Sequence, residues 1–309
     1  MDGSDGSLRR STPIGRLWVL VVVLAALPMS VVAQSSAPRP DGLSVLLTND
    51  NGYRAVGLLS MRDALVAAGH RVTVVAPLDE RSGSSSSITT GGLIDYYEQE
   101  EGVWAVDGTP SDAVTLGLIH IMRENPPDLV VSGLSRGQNV GAGVLRSGTV
   151  GAALTAARSG VPAIAASVEI DLGEREGSIP FASTVETFAS AAAFVVEVIR
   201  QLSDSDAEGL LAPRAVLNVN YPAIGERAPA GVRFVTVASV RAFRHVFAVA
   251  GSTGPARVEL TTGDPARAEA GSDYALLAED YVTVSVLDGS LDSGQGSWAS
   301  LLERLIIER

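Results

Sequence analysis

Residues 43–57 read Leu-Ser-Val-Leu-Leu-Thr-Asn-Asp-Asn-Gly-Tyr-Arg-Ala-Val-Gly, an apolar run that stops in small polar residues around a single carboxylate. Val45, Leu46 and Leu47 are continuously hydrophobic, as in a strand covered on both faces, so the run predicts a parallel α/β sheet rather than a half-exposed antiparallel one. Asn49, Asp50, Asn51 and Gly52 are turn formers in their own right. In open α/β sheets the loops at the carboxyl ends of the strands hold the ligand. An oxygen-rich loop there offers hard-cation or phosphate chemistry, and Asp50 is the first candidate to carry it.

The same pattern recurs twice. Val72 to Ala76 is a second buried run, ended by Pro77 and followed by the hydroxyl-rich stretch from Asp79 to Thr89. Asp128 to Ser132 is a third, followed by a glycine-rich stretch from Gly133 to Gly143. Between the first two, Leu58, Met61, Leu65 and Val66 recur at helical spacing until Gly69. Leu93–Tyr97 and Val103–Val106 read as a hairpin. Thr109, Pro110 and Asp112 form a capping box with proline at the first helical position, which opens a helix running to about Arg123. Ser147, Gly148 and Thr149 open another helix, which ends at Arg158 before Gly160. The free N–H groups and partial positive charge of its first turn suit a phosphate, and capping by Ser147 alone accounts for the same residues. Three strand-end loops thus converge on one edge of one sheet.

Composition removes several chemistries. The chain has no Cys and no Lys, which excludes disulfides, thiolate metal sites, cysteine nucleophiles, P-loop lysines and Schiff-base enzymes. The formal charge is -12, a field that opposes binding to nucleic acid polymers. Residues 1–33 have the form of a signal peptide. Arg9, Arg10 and Arg16 precede an apolar run from Leu17 to Leu27, and Val31-Val-Ala33 supplies small residues for cleavage. The run is shorter than the roughly 18 to 20 residues of a membrane-spanning helix, so the expectation is a periplasmic or secreted protein with no stable membrane anchor. The leader carries three Arg against two Asp, so the remainder stands one unit more acidic, at -13. Residues 34–42 read as a linker, and 43–309 as the folded domain.

Toward the C-terminus, Val185, Phe188, Ala189, Ala192 and Val196 suggest a helix packed on the sheet, and Leu217 to Asn220 another strand. Asp204 to Glu208 is an acidic connector. Val232 to Ser239, Phe247 to Val249 and Arg257 to Thr261 read as hairpin material that leaves the main body. Ser297 to Ile306 has the apolar spacing of a closing amphipathic helix. No complete Gly-x-Gly-x-x-Gly follows a strand, so dinucleotide binding has no support.

Thr48-Asn-Asp-Asn-Gly52, Arg81-Ser-Gly-Ser-Ser-Ser-Ser-Ile-Thr89, Gly108-Thr-Pro-Ser-Asp112, Val130-Val-Ser-Gly133 and Ser147-Gly-Thr-Val-Gly-Ala-Ala153 together resemble, in this order, the motifs of the SurE (survival protein E) nucleotidases. Leu217-Asn-Val-Asn-Tyr-Pro222, Gly271-Ser-Asp-Tyr274 and Tyr281-Val-Thr-Val284 are similar to pieces of that family's C-terminal half. The resemblance implies a Rossmann-like three-layer α/β sandwich with a mostly parallel sheet and a C-terminal β-hairpin extension, within 232–285, that joins subunits into a dimer or tetramer. It implies a phosphomonoesterase acting on nucleoside 5'- or 3'-monophosphates with a divalent cation, Mg2+ or Mn2+. By position, Asp50 matches the first carboxylate of the family's metal pair, and Asn51 stands where the second should be, its side-chain carbonyl expected to ligate the cation along with the hydroxyls of Ser82 and Ser135. Ser82 matches the serine ligand, and Ser135 replaces an asparagine. Asn139, Ser147, Gly148 and Thr149 match the phosphate side, with Asn49 beside them. Ala142 and Gly143 stand where acids are common and Arg146 where tyrosine is common, so the site is expected to have lost negative charge and gained a cation. Arg146 or Arg136 would then offset substrate charge, unless Arg146 is a solvated surface residue.

Two other readings share these residues. Gly133-Leu-Ser-Arg-Gly137 fits the Gly-x-Ser-x-Gly loop of a serine hydrolase, with Ser135 as nucleophile, His245 as base and an acid such as Asp206. The Asn51 and Ser135 changes also suit a protein that binds a nucleotide or phosphate without catalysis. His70 and His120 read as structural.

Overall fold

The computed structural model describes residues 42–205, 209–249 and 251–289. The leader at 1–33, most of the linker, Asp206 to Glu208 of the acidic connector and the closing helix expected at Ser297 to Ile306 lie outside them.

The strands, numbered in chain order, are β1 (Ser44–Thr48), β2 (Arg71–Pro77), β3 (Tyr96–Glu100), β4 (Val103–Val106), β5 (Leu129–Arg136), β6 (Ala163–Val168), β7 (Val216–Tyr221), β8 (Gly231–Phe234), β9 (Phe243–Val249), β10 (Ala256–Thr262) and β11 (Tyr281–Leu287). The helices are α1 (Val56–Ala67), α2 (Pro110–Leu116), α3 (Gly148–Arg158), α4 (Ala182–Ser203) and α5 (Asp273–Leu277). All strands but β9 and β10 form one sheet in the order β3-β4-β2-β1-β5-β6-β7-β11-β8. Its centre, from β4 to β7, is parallel. β3 and β11 run antiparallel to their inner neighbours.

The continuous hydrophobicity of β1 is explained by its two faces. Val45 and Leu47 pack toward α1 and α4 in one core, whereas Leu46 points to α2 and α3 in the other. Successive side chains of a strand alternate sides, so a strand covered on both faces must be apolar at every position. Gly117 lets the segment after α2 close on Leu46, because a Cβ there would sit 2.4 Å from Leu46 Cδ1. Alanines 152, 153, 156 and 157 pack α3 on the sheet in the same core. The result is the expected three-layer sandwich.

Several element boundaries depart from the sequence reading. β5 continues past Ser132 to Arg136, with a register shift against β6 between Ser132 and Ser135, so the Gly-x-Ser-x-Gly segment is strand and not elbow. Leu93 lies outside β3 and is exposed. Val66 is exposed on α1. In α4 the buried stripe is Thr184, Thr187, Phe188, Ala191, Ala192, Val195 and Ile199, which leaves Val185 and Ala189 outside it. β8, which contains Val232, pairs with β11 in the main sheet and does not leave the body. The hairpin that does stand apart is β9–β10. The Thr109 capping box forms as expected, and α2 passes at Gly117 into a π-helical turn that ends at Ile121.

β1 has β2 on one side and β5 on the other. The chain winds outward from β1 through β2 and β4, then returns to build β5, β6 and β7 on the opposite side. The crevice beyond the carboxyl ends of β1 and β5 is therefore the topological switch point, where ligands bind in this architecture.

Candidate functional site

Asp50 stands at that switch point, just past the end of β1, and is 3% exposed. Its Oδ1 accepts hydrogen bonds from the hydroxyls of Ser135 on β5, at 3.1 Å, and Thr149 on α3, at 2.9 Å. Its Oδ2 accepts the Thr149 N–H at 3.2 Å. The carboxylate thus sits against the first turn of α3, whose unpaired N–H groups carry partial positive charge. Burial raises the Asp50 pKa. The Thr149 and Ser135 hydrogen bonds work against that rise, and repulsion from Glu80 adds to it. Asp50 therefore holds a proton more readily than an exposed aspartate does.

Two glycines allow this packing. A Cβ on Gly148 would lie 2.7 Å from Ser84 Oγ and 2.8 Å from Asp50 Cβ, and one on Gly151 would lie 2.1 Å from the Ser85 carbonyl oxygen. The serine-rich loop after β2 is seated on α3 through the same approach. Ser85 donates its N–H to the Arg146 carbonyl and its hydroxyl to the Leu145 carbonyl. Ser147 caps α3 by accepting the Val150 N–H at 3.0 Å, and no hydrogen bond engages the Gly148 N–H among the described residues.

Beside Asp50 lies a second group of oxygens. Asn51 Nδ2 donates to both carboxylate oxygens of Glu80, each at 3.2 Å, and to Ser82 Oγ at 3.3 Å. Glu80 Oε1 also accepts the Ser82 N–H and hydroxyl. Asn51 Oδ1 accepts the Arg136 N–H at 2.8 Å. A backbone donor therefore fixes the orientation of this side chain, and its NH2 rather than its carbonyl faces Ser82. The Arg81 N–H donates to the Asp50 carbonyl at 2.7 Å, which ties the loop carrying Glu80 and Ser82 to the end of β1.

The expectation of a site with less negative charge and an added cation is corrected here. Glu80 brings a second carboxylate to the rim. Arg146 turns toward the hairpin, its Nη1 3.4 Å from His245 Nδ1 on β9; since a guanidinium only donates, the imidazole nitrogen accepts. Arg136 lies over the Phe181 ring, 5.4 Å from its centroid, and Arg81 pairs with Asp107 at 2.7 Å. Glu80 was missed because a lone acid in a serine-rich loop looks solvated. Its spacing two residues before Ser82 is the signal that was available.

Asn139 is held by its own neighbours. Its N–H donates to Asn220 Oδ1 and its Nδ2 to Ser167 Oγ, while its carbonyl accepts from Asn218 and Asn220. Asn49 is fully buried; its Nδ2 closes the turn onto the Gly52 carbonyl at 3.1 Å, while its Oδ1 has no hydrogen-bond partner among the described residues. Buried Asp273, at the start of α5, fixes the glycine-rich stretch by accepting the Gly141 N–H at 3.0 Å and the Ala238 N–H at 2.8 Å.

The serine-hydrolase arrangement does not assemble among the described residues. Ser135 donates to Asp50, and each histidine is engaged elsewhere: His70 with the Leu43 N–H, His120 with the Tyr96 hydroxyl and His245 with Arg146. The acid considered for it, Asp206, lies outside them.

A divalent cation of the Mg2+ or Mn2+ type takes hard oxygen donors. The Asp50 carboxylate has no cationic partner among the described residues, the Ser135 hydroxyl touches it at 3.1 Å, and Glu80, which holds Ser82, is near enough to repel it, so the donor chemistry fits such an ion. No three His, Asp or Glu side chains form a cluster among the described residues, so hydroxyls would have to complete the coordination.

The family model described as Survival protein SurE matches residues 45–244. A 5'-nucleotidase SurE from Rhizorhabdus wittichii is 39% identical over 193 residues, 62% of this chain and 72% of that protein. Another, from Thermosynechococcus vestitus, is 33% identical over 272 residues, 82% of this chain and 94% of its own. Among solved structures, the SurE protein from Aquifex aeolicus superposes with a TM-score of 0.68 at 29% identity, covering 84% of this chain and 98% of that one. With the matched stretch running from β1 into β9 and enclosing the whole Asp50 site, the chain belongs to the survival protein SurE family.

Proposed function

We propose that the chain is a nucleotidase that hydrolyses nucleoside monophosphates, at the 5' or 3' position, to nucleoside and inorganic phosphate with the help of a divalent cation. The observation that carries this reading is the buried Asp50 carboxylate held between the end of β1, Ser135 and the first turn of α3, in a chain whose relatives are named 5'-nucleotidases. In the reaction a water oxygen bonds to phosphorus, the P–O ester bond breaks, and the leaving oxygen takes up a proton as the nucleoside departs. The first turn of α3 offers the Gly148 N–H and its partial charge to the phosphoryl oxygens. Asp50 orients the attacking water and accepts its proton at a carboxylate oxygen. Asp50, Ser82 and Ser135 would hold the cation, which supplies charge neutralisation of the phosphate and acidification of water. Ser147 and Thr149 keep the helix end in register with Asp50.

Two further parts of this reading concern the whole molecule. The β9–β10 hairpin exposes Val246, Phe247, Val249 and Val258, which supports its use as an arm between copies of the chain; light-scattering mass tests it. The form of residues 1–33 supports export, and N-terminal sequencing of the protein recovered from periplasm or medium tests that. The catalytic reading is tested with a panel of nucleoside monophosphates and p-nitrophenyl phosphate on chelator-stripped protein, with and without Mg2+ or Mn2+. Metal-restored phosphate release is expected. Absence of release from every substrate, together with labelling of Ser135 by a serine-reactive probe, would favour the hydrolase reading instead.

A further inference from the structure

We propose that Glu80 supplies the second carboxylate of the cation site, in place of the side chain at position 51; this rests on the cation-assisted reading above. Three observations point to it. First, Asn51 cannot readily serve as the second ligand, because its Oδ1 is committed to the Arg136 N–H and its NH2 faces outward to Glu80 and Ser82. Second, the Glu80 carboxylate is gathered onto two of the residues that border the site, Asn51 and Ser82, by four hydrogen bonds from donors. The loop that carries it is tied to the Asp50 carbonyl through the Arg81 N–H. Third, the nearby cations are turned away: Arg81 to Asp107, Arg136 to the Phe181 ring and Arg146 to His245.

Two carboxylates at one loop edge, one of them buried, are thus left without a countercharge among the described residues. The Asn51 NH2 reaches Glu80 alone of the two, as a neutral donor and a weak substitute for a positive charge. A divalent ion bound by Asp50, Ser82 and Ser135 would meet Glu80 beside it, with the Asn51 NH2 holding that carboxylate in place. A capping role for Glu80 explains its bonds to Ser82 but not why both oxygens are also held by Asn51.

The test is direct Mn2+ binding to the chelator-stripped full chain without substrate, read by the electron paramagnetic resonance of free Mn2+. Glu80→Gln should weaken binding by at least about tenfold, since affinity follows the number of charged ligands. Asp79→Asn, which removes the adjacent exposed acid, should leave binding unchanged. Asn51→Asp placed in the Glu80→Gln background should recover most of the lost affinity by returning a carboxylate to position 51. Equal binding by wild type and Glu80→Gln would overturn the role of Glu80 and leave the cation reading standing. An equal loss in Asp79→Asn, or no recovery in the double variant, would reduce Glu80 to a general field or a loop clamp and overturn it as well. Wild-type protein that binds no Mn2+ at millimolar concentration would sink the cation reading itself.

Discussion

The Asp50 site and the β9–β10 hairpin invert each other's chemistry. At the first, a charged group is buried and held by the Ser135 and Thr149 hydroxyls and the Thr149 N–H. At the second, apolar side chains such as Phe247, 62% exposed, face outward on a two-stranded ribbon. Burying a carboxylate costs stability, and exposing a phenyl ring forgoes it. By our reading, both are places where the chain gives up folding free energy for something it binds: a cation and phosphate in one case, and a second copy in the other. The two meet at Arg146, which stands just before the α3 cap and reaches His245 on β9.

This contrast predicts steep responses inside the site and shallow ones on the hairpin. The largest is expected for Gly151→Ala. Its Cβ would fall 2.1 Å from the Ser85 carbonyl oxygen, so the serine-rich loop must move off α3. A loss of about 3 kcal/mol is expected, measured by urea denaturation, with activity falling too.

Next comes Glu169, at the end of β6. Burial lifts its pKa from the ordinary 4.5 to about 7, with repulsion from Asp280 and Asp171 adding to it and the Ala223 N–H opposing. Between those values the folded chain keeps a proton that the unfolded chain has released, so stability falls as pH rises through the window. Glu169→Gln should therefore stabilise by roughly 2 kcal/mol above that window and change nothing below it, as denaturation at the two pH extremes would show. A pH-independent effect would mean the carboxyl is solvated.

A smaller rise is expected from Asp50→Asn without metal, because it removes a buried charge while keeping one carbonyl acceptor. The sign follows from the raised pKa: the ionised form is the one that folding penalises, so the gain should appear on the alkaline side and vanish in acid. Thermal melts of the stripped proteins at two pH values check it. The smallest effect is on the hairpin. Phe247→Ser should alter the stability of a single chain by no more than about 0.5 kcal/mol, yet lower the mass seen by light scattering.

The sequence revealed the sandwich wherever hydrophobic burial alone decided the local structure. β1 was visible because both of its faces are covered, and α2 because its capping box is satisfied within four residues of chain. It misled where polar groups are buried in pairs. The α4 stripe includes Thr184, whose hydroxyl bonds the Glu169 carbonyl, and Thr187, which bonds the Ser183 carbonyl and accepts the Gly225 N–H; these interrupt the apolar period that Val185 and Ala189 only imitate. β5 was cut short at Ser132 because glycine at 133 reads as loop. Asp50 could be singled out from its place after a buried strand. Glu80 showed only its spacing before Ser82, since the tertiary approach of the β1 and β2 loops is what joins it to Asn51.

The claim that Asp50 organises a cation-assisted phosphomonoesterase is tested most directly by phosphate release from a nucleoside 5'-monophosphate, comparing stripped wild type with Asp50→Asn before and after adding Mn2+. The account predicts release by wild type only when metal is returned, and a loss of roughly a hundredfold or more in the variant. Equal release without metal, or a variant as active as wild type, would contradict it.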